Sequence, residues 1–151
     1  LEFGPDTKLP KAPEILSLKG DAKQGKALIG RCYVCHKIGS AGVEFGPALA
    51  GWGSGQTREI ILKSILDPSA EISHGFEGTE LIVKGDKRIQ GFVQAEGDPL
   101  VVRVFGGQDL VIAKADVKSR KQVKTSFMAP ASRLGLDAQQ LRDVVEYLKL
   151  N

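Results

Sequence analysis

No apolar run in this chain approaches the roughly 20 residues needed to cross a bilayer. A direct membrane span is therefore not expected. The chain does not begin with methionine, and no apolar signal core follows its first residues. Leu1-Glu2-Phe3 reads as a vector-derived scar, so a mature or excised fragment is expected. Charge of one sign is also scarce: 21 basic side chains against 18 acidic ones leave a formal +3. That balance gives nucleic-acid binding little support, and no nucleic-acid partner is expected. Internal repeats and low-complexity tracts are absent. The chain holds only two cysteines, two histidines and one methionine.

What is present suits one soluble globular domain. A length of 151 residues, 42% hydrophobic and 26% charged, is too short for two full domains. Residues 4–17 contain Pro5, Pro10 and Pro13 and read as an extended lead-in. Residues 1–19 are thus expected to be tag remnant and lead-in, and residues 20–151 the domain.

Local patterns place the elements. Asp21-Ala22-Lys23-Gln24 has the form of a capping box and predicts a helix running on to Cys32. Gly25, Leu28, Ile29 and Cys32 share one face of it, and Gly25 permits close approach of another helix. Residues 39–55 are glycine-rich and read as a loop. A second helix is predicted over 57–66 and ends at Asp67-Pro68, because proline disfavours helical backbone in the residue before it. Strand-like runs follow at 77–84, 88–94, 100–105 and 110–113, separated by Gly-Asp-rich turns, which predicts an antiparallel meander. Lys118, Arg120, Lys121 and Lys124 form a basic run, read either as a solvated loop or as an electrostatic docking rim. Asp137-Ala138-Gln139-Gln140 is a second capping box, with Leu136 and Leu141 as its hydrophobic staple. Leu141, Val144, Val145 and Leu148 then form an amphipathic stripe.

Both cysteines and one histidine fall in Cys32-Tyr33-Val34-Cys35-His36. Cys-x-x-Cys-His is the attachment pattern of a c-type haem. The two thiols can form thioethers with the vinyl groups, and the adjacent imidazole can ligate the iron. Such attachment takes place outside the cytoplasm in bacteria, so a periplasmic or otherwise extracytoplasmic location is expected. Three other uses of the cysteines compete with this one. A redox dithiol would need a βαβ setting. Zinc would need further ligands. A disulfide here would close a tiny loop. A second axial ligand can come from Met128 or His74. Met128 lies in Ser126-Phe127-Met128-Ala129-Pro130, and a thioether there would favour ferrous iron and raise the potential. A lone methionine otherwise fills core space. His74 reads as a surface or hydrogen-bonding histidine.

With Gly25, the haem pattern, Gly46-Pro47-Ala48-Leu49, the late Met128 and a last helix bearing Leu141, Tyr147 and Leu148, the chain resembles a class I c-type cytochrome. It is most similar to the Planctomycete/Verrucomicrobium-type haem-binding domain. The matching stretches, 20–36, 45–47, 64–70 and 128–148, cover most of residues 20–150. The resemblance implies a mainly α cytochrome c fold, with a small four-stranded antiparallel β insertion over 76–117 before the Met-ligand loop. It implies His36 and Met128 as iron ligands, and a Pro47 carbonyl that accepts the proximal histidine N–H. Gly25 and Tyr147 would meet where the first and last helices cross. Leu49, Ile61, Ile65 and Phe127 would wall the haem pocket. Trp52 would either bond a propionate or pack in the core.

The expected function is one-electron transfer through one covalent haem c and its iron. The expected partner is a redox protein, either a dehydrogenase domain fused or docked, or another cytochrome. Such an electron carrier is not itself an enzyme. The alternative is a haem enzyme or a gas or redox sensor with an open distal site. A third possibility makes the β insertion a module that binds protein or carbohydrate. The sheet is expected instead to cover one side of the haem or to position the Met loop.

Overall fold

A proline in its first turn starts the first helix, where the missing N–H leaves no partner unmet. In the computed structural model, which describes residues 3–151, α1 spans Ala12–Leu16. Leu1 and Glu2, part of the expected scar, lie outside the described residues. Ile15 is wholly buried in the helical core. The lead-in expected to be extended is therefore partly helical and packed. Nearer the start, Thr7 N–H donates to the Ser132 carbonyl at 2.9 Å.

Helix α2, Ala22–Leu28, begins where its cap predicts. The Asp21 carboxylate accepts from Lys23 N–H at 2.8 Å and Gln24 N–H at 3.3 Å. The second half of the expected box is made differently: Asp21 N–H donates to Asp143 in the last helix at 2.9 Å, not to Gln24. The chain then tightens into a 3-10 stretch over Ile29–Val34, which carries Cys32. Helix α3, Arg58–Leu66, is capped by the Thr57 hydroxyl, which accepts from Ile60 N–H at 3.2 Å. Helix α4, Ala138–Leu150, has a complete capping box between Asp137 and Gln140. Its Leu141, Val144, Val145 and Leu148 are buried against Ile29, Ile61 and Leu62. None of the helices among the described residues is long and apolar enough to cross a membrane.

The strands overturn the expected fold class. A two-residue hairpin joins β1, Lys37–Ile38, to β2, Ala41–Gly42. Beyond it come β3 Gly78–Val83, β4 Lys87–Ala95, β5 Leu100–Val104, β6 Asp109–Ile112 and β7 Val117–Val123. These form one antiparallel sheet in the order β6-β5-β4-β3-β7. With 33% helix and 23% strand, the protein is a small α/β fold and not a mainly α cytochrome fold. The sheet also has five strands, not four, and it continues past the 76–117 limit expected for it.

The extra strand is the basic run. It lacks apolar alternation, because only its end residues Val117 and Val123 are apolar, so its sequence reads as loop. Its hydrogen-bond ladder to β3 and its ion pairs hold it instead. Lys118 meets Asp86 at 2.7 Å, Arg120 meets Glu96 at 2.7 Å and Lys121 meets Glu80 at 3.1 Å. These partners offset much of the charge that a docking rim would present. Charged side chains also suit an edge strand, since they discourage pairing with another chain.

The sheet is curled. Ile112 and Val117 end strands on opposite edges, yet a single short turn joins them. Five extended residues reach at most ~18 Å, whereas a flat five-stranded sheet holds its edges about 19 Å apart. The 3-10 turn at Lys114–Asp116 reaches less than an extended chain, so the edges must bend together. Leu81, Val83, Leu100, Val102 and Ile112 accordingly share one buried cluster inside the curl.

Two carboxylates bind cations, Glu146 between helices and Glu80 between strands, and a pH dependence of the fold is expected from them. The Arg58 guanidinium, assisted by Arg142, holds Glu146 down at about 2 from an ordinary 4.5. Lys121 and then Arg88 hold Glu80 down at about 2. A depressed carboxylate stabilises the fold fully above its unfolded value and loses that contribution as pH falls through the folded one. Thermal unfolding is thus expected to hold steady down to about pH 4.5 and fall steeply toward pH 2. Glu146→Gln should flatten that profile, and an unchanged profile in the variant would refute the assignment to Glu146.

Candidate functional site

The 3-10 turn sets the cysteines and the histidine. His36 N–H donates to the Cys32 carbonyl at 2.7 Å, which closes the turn after the pentapeptide begins. The loop that follows folds back on it, with Gly46 N–H donating to the Cys35 carbonyl at 2.6 Å. A side chain at position 46 could not be accommodated: its Cβ would lie 2.8 Å from the His36 ring. The glycine thus lets the loop pass flat beneath the imidazole.

That loop carries Pro47, whose carbonyl lies 2.6 Å from His36 Nδ1. A carbonyl only accepts, so Nδ1 carries the proton and Nε2 keeps its lone pair. His36 is 8% exposed. Burial lowers its pKa below the ordinary value, with the Pro47 bond opposing. The ring is therefore neutral at pH 7 and available as a donor to a metal. Burial also pushes the Cys32 thiol up to about 11 and raises the Cys35 thiol. Reactive redox dithiols need the opposite shift, toward thiolate. Both cysteines are free. Among the described residues no cluster of three or more His, Cys, Asp or Glu side chains could hold a metal ion. A zinc site finds no ligand set there.

Cys32, Cys35 and His36 open onto a largely apolar cleft of about 220 Å³. Met128, Phe127, Ile65, Leu49, Trp52 and Pro47 line the same cleft. The fold thus brings together nine of the ten residues singled out from the sequence. The tenth, Ile61, is wholly buried in the helical core and does not reach the cleft wall. It sits one helical turn before Ile65, which does. Trp52 both lines the cleft and packs against the helical core. His74 lies outside: its side chain is fully exposed and meets Glu77 at 3.4 Å.

The Met128 side of the cleft is tethered. Ser126 N–H donates to Ser69 Oγ at 3.0 Å, and Met128 N–H donates to Ser126 Oγ at 3.1 Å. Ser69 follows the proline that ends α3, so the helix end anchors the Met loop. The expected contact between Gly25 and Tyr147 is also present. A Cβ on Gly25 would strike the Asp143 carbonyl and lie 2.8 Å from Tyr147 Cβ.

Sequence reasoning missed several lining residues. Arg31 brings a guanidinium to the cleft and donates to the Leu134 carbonyl at 3.0 Å. Its place directly before Cys32 could have drawn notice. Phe45, Phe76 and Phe92 bring the sheet and the loop before Gly46 to the cleft, and nothing in their separate neighbourhoods points to a common site.

The donor set fits a c-type haem. Two thiols, a neutral imidazole fixed in one tautomer and a thioether border one apolar space, which is the ligand chemistry of a His/Met haem centre. No family model matches this chain, and no curated protein matches it at a significant level.

Proposed function

We propose that this protein carries single electrons through one haem c, which Cys32 and Cys35 would tether and His36 and Met128 would ligate. When bound, the haem supplies the one-electron couple. The chain's own residues do the rest. The apolar walls exclude water and favour the less charged state of the centre. Pro47 fixes the His36 ring and raises its basicity, a role typical of groups behind a metal ligand. A Met128 thioether would raise the potential relative to a harder ligand.

The observation that carries this reading is the convergence of Cys32, Cys35, His36 and Met128, from two distant stretches of chain, on one cleft. The resemblance to Planctomycete/Verrucomicrobium-type haem-binding domains supports the same function, with a dehydrogenase domain or another cytochrome as partner outside the cytoplasm. Electron exchange asks only for a small, rapidly dissociating contact.

Visible spectra of the oxidised and reduced protein test it. Low-spin spectra in both states, unchanged by carbon monoxide, are the expected result. High-spin iron that takes up carbon monoxide on reduction would replace this reading with the open-site enzyme or sensor.

A further inference from the structure

Five of the six phenylalanines meet in one place. Phe127, the neighbour of Met128, lies with its ring centroid 5.4 Å from Phe92 on β4 and 5.5 Å from Phe105 after β5. Phe45, one residue before Gly46-Pro47, lies 4.6 Å from both Phe92 and Phe105. Phe76 meets Phe92 edge-on at 5.4 Å. Phe45 and Phe92 are each 4% exposed. One packed cluster therefore joins three things: the loop beneath His36, the loop bearing Met128, and the sheet. The β3 backbone completes the seat. A Cβ on Gly78 would lie 2.6 Å from Phe127 Cζ, so only glycine lets the ring rest against the strand.

We propose that this cluster is a clamp by which the curled sheet positions Met128 toward the cleft. The inference rests on His36 and Met128 being the axial pair. Aromatic contacts stabilise beyond plain area burial, and Phe127 makes three of them. The Ser69–Ser126–Met128 hydrogen bonds hold the loop backbone from the helical side. The phenylalanine contacts hold it from the sheet side. No clamp side chain carries a donor atom; Phe45, Phe76, Phe92 and Phe127 only border the cleft. They are positioning residues, and they give the sheet a role at the cleft that needs no separate ligand.

The test compares Gly78→Ala and Phe92→Leu with the unmodified protein carrying its haem. The readouts are the absorption band of methionine bound to ferric iron and the rate of carbon monoxide uptake by the reduced form. Gly78→Ala displaces Phe127 by overpacking, and Phe92→Leu removes its partner ring. In both, the band is expected to weaken and carbon monoxide uptake to rise about tenfold or more. Leu110→Ala is the control, since it disturbs the core inside the curl without touching the cluster. If both clamp variants keep the band and stay inert to carbon monoxide, the inference is overturned. Equal loss of the band in Leu110→Ala would also overturn it, because general loosening would then explain the effect. An unmodified protein without the band would overturn the axial assignment first, and the clamp with it.

Discussion

The Met128→Ala protein is expected to take up carbon monoxide on reduction and to show a much lower reduction potential than the parent. Met128 is the only thioether in the chain, and alanine leaves no donor in its place. Among the described residues, the other histidine cannot substitute. His74 is fully exposed and lies outside the cleft. Axial ligands set haem potentials over a range of about 0.8 V, so the loss of this one should move the potential by a substantial part of that range. Stability should change far less, because Met128 is only partly buried at the edge of the helical core. Spectroelectrochemistry alongside thermal unfolding would separate the two effects. A potential within a few millivolts of the parent would remove Met128 from the centre.

Gly25→Ala is expected to cost substantial stability by forcing two helices apart. The new Cβ meets the backbone carbonyl of Asp143 and, at 2.8 Å, Tyr147 Cβ. A flexible side chain could move aside, but a backbone carbonyl inside a helix cannot. Helices α2 and α4 would have to separate. That separation also weakens the bond from Asp21 N–H to Asp143, now 2.9 Å long. Overpacking of this kind costs about 1–3 kcal/mol and occasionally more. For a protein of this size that is a fall in Tm of about 2–12 °C. Gly30→Ala supplies the contrast, because nothing lies within 4 Å of its missing Cβ. It should melt close to the parent. Equal melting of the two variants would show that α2 and α4 do not cross as tightly as described.

Much of this architecture can be read from local chemistry. The cap at Asp137 needs only residues within one turn, and both halves of it form. The pentapeptide and the lone methionine stand out because their residue types are rare here. The first four strands of the large sheet show themselves through alternation and Gly-Asp turns. What escapes a reading by neighbours is whatever depends on distant partners. β7 is a strand because Glu80, Asp86 and Glu96 meet its cations, and none of those lies beside it in sequence. α1 is stable because Ile15 finds the helical core. The Asp21 box is completed by Asp143 from the far end of the chain. Ile61 and Ile65 share a helix face by spacing, yet only one reaches the cleft. The mainly α expectation failed for the same reason. It took its frame from the helices that flank the sheet and had no means of counting a strand without apolar alternation.

The crossing at Gly25 also bears on the order in which the molecule assembles. Its two partners lie near opposite ends of the chain, so closing it is entropically slow. The curled sheet is one continuous stretch whose contacts are comparatively local, and it can form while the helices are still apart. The half that carries Cys32 and Cys35 is expected to close last, when α4 arrives. Burial raises the pKa of both thiols in the finished fold, so a thiol-alkylating reagent is expected to modify them faster before that step than after it.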